Sequence, residues 1–166
     1  MKKKNWTSGF TIVELLLYMG IFAILLIVLF QIFTSIIDVQ LESGATASVA
    51  QDGRFLLVRL AYDISQAQAV TNPSSLGAQA SSLQVTINGT TLTYSVTDGI
   101  LNLTNGSTNI TNALTSIDTT ISNLRFTRLG NPAGKDTVQV AFTLRSRTVK
   151  QGGTESQVFQ TTVGLR

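Results

Sequence analysis

Residues 15–37 read LLLYMGIFAILLIVLFQIFTSII, twenty-three positions without a charge in which only Gln31, Thr34 and Ser35 are strongly polar. As a helix rising about 1.5 Å per residue, this run is roughly 35 Å long, enough to cross a hydrocarbon core of about 30 Å with some tilt. Lys2, Lys3 and Lys4 precede it. Basic residues are retained on the cytoplasmic side, so the expected topology is a single-pass membrane protein with its N terminus inside and its C-terminal part outside. An ordinary secretory signal fits poorly. Its apolar stretch is shorter and ends in a small-residue cleavage site, whereas this run ends in Ile36-Ile37-Asp38.

Working back from the run, Glu14 stands at its edge, preceded by Phe10-Thr11-Ile12-Val13 and Gly9. A carboxylate beside hydrocarbon is costly and usually marks a function with a definite partner. The competing reading is a hydrated acid at the interface, which the positive end of the helix dipole also favours.

The stretch from Lys2-Lys3-Lys4 through Gly9-Phe10-Thr11-Ile12-Val13-Glu14-Leu15 and the apolar helix resembles the prepilin signal of type IV pilins and of the pseudopilins of type II secretion and DNA-uptake machines. The resemblance covers residues 1 to about 37. It implies cleavage by a prepilin peptidase between Gly9 and Phe10, N-methylation of the new amino terminus at Phe10, and an assembly salt bridge from Glu14 to the Phe10 amine of a neighbouring subunit. The implied partners are the prepilin peptidase, other pilin or pseudopilin subunits, an inner-membrane assembly platform, and membrane lipid before assembly. The implied destination is a periplasmic or cell-surface filament. No proline lies between Glu14 and Pro73 and the chain has no cysteine, unlike many major pilins, which points to a minor pilin or minor pseudopilin. Gly20, Gly44 and Gly53 are the expected weak points of a continuous helix.

Composition narrows the remainder. Cysteine and histidine are both absent, which excludes disulfides, thiolate or imidazole metal sites, cysteine nucleophiles and histidine-based triads. No phosphate loop, cofactor motif, calcium loop or convincing carboxylate pair is present, so the expectation is a protein that is not an enzyme, with no catalytic residue, cofactor or metal. Charged residues are only 13% of the chain, against roughly 25% in an average soluble domain. Without the three leading lysines the side-chain charges balance, so bulk charge does not point to nucleic acid. Arg125, Arg128, Arg145 and Arg147, with Lys135 and Lys150, are the one candidate basic stripe for DNA, a partner that the reading leaves unsupported. Phe126 and Phe142 alternate with the arginines and are expected to face the core.

Beyond Asp38 the pattern becomes amphipathic. Val49, Leu56, Leu57, Leu60, Ile64 and Ala67 recur at helical spacing, and Phe55, Val58 and Tyr62 widen the expected core face. Asp52, Arg59 and Asp63 read as a solvated charged face. The helix is expected to run from Phe10 to about residue 70, stopped by Thr71-Asn72-Pro73-Ser74-Ser75. Alternating strands follow at 83–87, 91–96, 100–103, 121–129, 137–144 and 157–163, punctuated by Asn88-Gly89 and Asp98-Gly99. The fold class is α+β, a long N-terminal helix packed on an antiparallel sheet. The expected organisation is a leader at 1–9, a transmembrane or filament-core helix at 10–37, its amphipathic continuation at 38–70, and a β head at 71–166. The rival reading is an uncleaved single-pass anchor carrying a surface binding domain.

Overall fold

A computed structural model describes residues 9–130, 134–150 and 152–166. Among the described residues helix α1 (Ile12–Gln66) comes first, followed by nine strands. The chain divides into two compact units at Gln40/Leu41.

The first unit is helical from Ile12 onward. Thr11 caps it: the Glu14 backbone N–H donates to Thr11 Oγ1 at 3.3 Å and the Leu15 N–H donates to the Thr11 carbonyl at 3.1 Å. The Thr11 hydroxyl thereby satisfies one first-turn donor that no helical carbonyl can reach, and the Thr11 carbonyl accepts the first bond of the helical ladder. The large apolar residues from Ile12 to Ile37 are all exposed, and this helix is long and apolar enough to cross a membrane.

The second unit packs the remainder of α1 on two antiparallel sheets. One is five-stranded in the order β1 (Ala69–Asn72), β3 (Leu83–Ile87), β4 (Thr90–Thr97), β5 (Ile100–Asn105), β6 (Ile110–Ala113). The other has the order β2 (Gln79–Ala80), β7 (Thr119–Leu129), β8 (Thr137–Lys150), β9 (Gly153–Gly164). The α+β class is as expected, but the single sheet becomes two. Ser81-Ser82 carries the chain across: Ala80 pairs with Phe126 in one sheet and Leu83 with Tyr94 in the other.

Local chemistry explains the meander. Asn88 and Gly89 both adopt positive φ (50° and 77°), as do Asp98 and Gly99 (53° and 74°). That is the geometry of the two-residue turn whose twist matches paired strands, and Asn, Asp and Gly tolerate it best. One core then forms from Val49, Leu56, Leu60 and Ile64 of the helix, Val85, Tyr94 and Leu101 of the first sheet, and Phe126, Val140 and Phe142 of the second.

Three expectations about the helix are corrected. It ends at Gln66 rather than near residue 70, because the first strand captures the backbone: the Gln68 N–H donates to the Thr86 carbonyl at 2.8 Å and buried Val70 pairs with Val85. Leu57 is only half-buried, and Phe55, Val58 and Tyr62 are exposed rather than part of the core face. The buried row Ala45, Val49, Gly53, Leu56, Leu60, Ile64 is narrower than the sequence pattern implied. Finally, Gly53 is no weak point. Its missing side chain admits the ring of Phe159 from β9.

Candidate functional site

The residues singled out at the start of the chain lie together where α1 begins. The backbone at Gly9 is open, since a Cβ there would meet nothing within 4 Å, and Phe10 is exposed. Glu14 is half-buried in the first helical turn, where the helix dipole stabilises a negative charge. The Phe10 ring leans on Tyr18, with centroids 5.7 Å apart and planes inclined at 54°. Phe10, Leu15, Tyr18, Met19, Phe22 and Leu25 border a purely apolar depression. The site therefore combines an accessible peptide, one carboxylate and an all-apolar helix surface. Lys2, Lys3 and Lys4 lie outside the described residues.

Thr11 is the residue that the sequence reading missed. Thr11-x-x-Glu14 before an apolar run is the signature of a helix start, and the observed Glu14 N–H to Thr11 Oγ1 bond is half of that arrangement.

In the head, the acids read as a solvated face turn inward. Asp63 is buried at 3% exposure, accepts a hydrogen bond from the Tyr94 hydroxyl, and pairs with Arg59 at 2.8 Å. Asp52 Oδ2 accepts from the Ser116 N–H at 3.1 Å, from Ser116 Oγ at 2.6 Å and from Thr119 Oγ1. The helix thus holds the first sheet through Tyr94 and the loop before β7 through Ser116. Arg59 and Asp63 do sit at helical i,i+4 spacing, but spacing alone does not tell what faces them.

These contacts set the pH response of the head. Burial, then the hydrogen bond and charge of Asp63, push the Tyr94 phenol above its ordinary value of 10.0. Burial pulls Arg59 down, but the charge of Asp63 and the contacts with Tyr94 outweigh it and leave its pKa raised. A raised phenol stabilises the fold below the unfolded value and loses that contribution as pH climbs past it. Stability should therefore fall above about pH 10. Tyr94→Phe should cost about 1–2 kcal/mol at neutral pH and flatten the alkaline decline. Thermal melts of both proteins between pH 7 and 11 read both effects; an unchanged alkaline slope would remove Tyr94 from the account.

The basic stripe separates. Arg128 grips Asp136 with two bonds of 2.9 and 2.8 Å, and its Nη1 donates to the carbonyls of Val70, Pro73 and Ser74. It is a clamp between β7 and the segment around β1. Lys150 contacts Glu155 at 2.9 Å and Glu42 at 3.0 Å. Its hydrogen bonds, to Glu155 first and then Glu42, raise its pKa. Arg125, Arg145 and Arg147 remain exposed on β7 and β8, with Arg145 donating to Thr154 Oγ1. Phe126 and Phe142 are buried, as expected, so they offer no stacking surface beside the arginines. Among the described residues no group of three acids, histidines or cysteines is placed to hold a metal ion. Compared with protein families, curated proteins and solved structures, the chain matches none.

Proposed function

We propose that this chain is a type IV pilin-like subunit, a minor pilin or pseudopilin with a structural rather than catalytic role. On this reading a prepilin peptidase cuts after Gly9 and methylates the Phe10 amine. The processed chain is then drawn from the inner membrane by an assembly platform into a filament serving pilus assembly, protein secretion or DNA uptake. The observation that carries the reading is Glu14. It is one carboxylate in the first turn of a helix whose large apolar residues from Ile12 to Ile37 are all exposed, four residues beyond an open Gly9–Phe10 peptide.

The physical logic is charge pairing. Cleavage creates a cationic amine at Phe10, and packing apolar helices side by side removes both that amine and Glu14 from water. Either charge alone is expensive there, whereas the pair is tolerable and fixes the register in which neighbouring helices meet. The cap at Thr11 lies just beyond the cut, so the helix keeps its start in the mature chain.

Coexpression with a prepilin peptidase tests the proposal. The wild-type chain should convert to a shorter form, and Gly9→Val, which adds a branched side chain beside the scissile bond, should remain at full length. If both persist at full length in the membrane, the uncleaved anchor with a surface binding domain takes its place.

A further inference from the structure

The membrane-crossing segment has two unlike faces. Gly20, Ile24, Ile27, Gln31, Thr34 and Asp38 follow one another at intervals of four and three residues, the 3.5-residue period that keeps a seam facing a partner helix. Tyr18, Phe22, Leu25, Leu29 and Phe33 occupy the opposite side. Of the polar and glycine positions in the run, Gly20, Gln31 and Thr34 fall on the seam and Ser35 lies beside it. The seam residues up to Thr34 are exposed, and a Cβ at Gly20 would meet nothing within 4 Å.

We infer that this helix pairs in the bilayer with the same helix of a second copy, parallel and two-fold, with the Gln31 carboxamides bonded across the seam. The inference rests on the membrane-crossing reading and goes beyond filament assembly, because it concerns the chain before it is extracted. Apolar side chains gain little by leaving lipid for one another, so polar groups and close packing decide which faces meet. Gln31 lies six residues, about 9 Å, inside the end of the run, where no water serves its amide. The Thr34 hydroxyl already donates to the Gln31 backbone carbonyl at 3.0 Å, leaving the Gln31 side chain as the directional group that faces outward.

A second copy is the occupant that the chemistry selects. A carboxamide carries both donor and acceptor and complements itself. Two copies inserted with the same orientation place Gln31 opposite Gln31 in a closed symmetric pair. Gly20 permits close approach at the other end of the seam. Asp38 comes near its own copy as well, but just past the apolar run, where hydration and salt screen the repulsion.

The absence of native cysteine makes the test clean. Single cysteines at Ile24 or Ile27, and on the opposite face at Phe22 or Leu29, are introduced into the full chain made in cells without a prepilin peptidase. The membranes are then oxidised. Seam cysteines should give disulfide-linked dimers and the opposite face few. Adding Gln31→Leu to the seam variants should lower dimer yield by on the order of tenfold, and Gln31→Asn should retain it. Equal cross-linking on both faces, or no loss with Gln31→Leu, overturns the pair while leaving the membrane reading intact. Recovery of the chain in an alkaline carbonate wash overturns both. The first two outcomes leave cleavage after Gly9 untouched, and that event is read separately.

Discussion

Glu14→Leu is expected to leave cleavage after Gly9 intact and to remove the chain from filaments almost completely. The substitution makes the helix more apolar, so insertion should not suffer. The consequence falls on assembly. Each processed subunit would bring a cationic Phe10 amine into an apolar helix bundle with no carboxylate to meet it. Losing one partner of a buried pair costs about 3–5 kcal/mol, because the remaining charge is stranded. At tenfold per 1.4 kcal/mol, incorporation should drop on the order of a hundredfold or more. Glu14→Gln should fail similarly, since an amide keeps the shape and loses the charge, while Glu14→Asp should restore part of the yield. Sheared filaments probed for this subunit, beside membranes probed for the processed form, give the comparison. Equal incorporation of wild type and Glu14→Leu would show that the acid is an interfacial residue without an assembly role.

Gly53→Leu should clearly destabilise the head. A Cβ at Gly53 would overlap the ring of Phe159, and that ring cannot easily retreat. It is 8% exposed and stacked on Phe142 with centroids 5.5 Å apart and planes 21° from parallel. Overpacking such a site costs about 1–3 kcal/mol, the upper end being expected for a leucine against a stacked ring, with a Tm fall on the order of 10 °C. Leucine is the better helix former by up to about 1 kcal/mol, so local propensity and packing pull in opposite directions and packing should win. Phe159→Ala alone should cost about 3–5 kcal/mol through the cavity it leaves. The double variant decides between overlap and backbone effects. If the leucine fills the space vacated by the ring, the combined loss is smaller than the two single losses added together. Strict additivity would mean that Gly53 acts through the helix backbone alone.

How much of this was legible in the sequence depends on the range of the interaction. Asn88-Gly89 and Asp98-Gly99 declare their hairpins locally, because the turn itself selects those residues, and the strands on either side follow by alternation. Strand β2 (Gln79–Ala80) has only two residues and no period to read; it exists because β7 offers Phe126 and Thr127 as partners. The division into two sheets turns on the same crossing. Asp52, Asp63 and Gly53 show the other side of the difficulty. Each looks ordinary within its helix, and its role is set by Ser116, Tyr94 or Phe159, which lie far along the chain. Phe55, Val58 and Tyr62 match a core pattern in sequence and yet are exposed, because hydropathy reports what a side chain prefers and not what is placed against it. At the N-terminal site the acid and the apolar run were evident, since both are consecutive in sequence. The Thr11 cap was there to be read in Thr11-x-x-Glu14.

The proposal as a whole turns on one covalent event. The decisive measurement is intact and N-terminal peptide mass spectrometry of the chain made in cells that contain a prepilin peptidase. A mature terminus at N-methylated Phe10, with residues 1–9 gone, is the predicted result. A stable membrane protein that retains its terminus at Met1 or Lys2 would contradict the pilin-like reading and leave an anchored binding domain in its place.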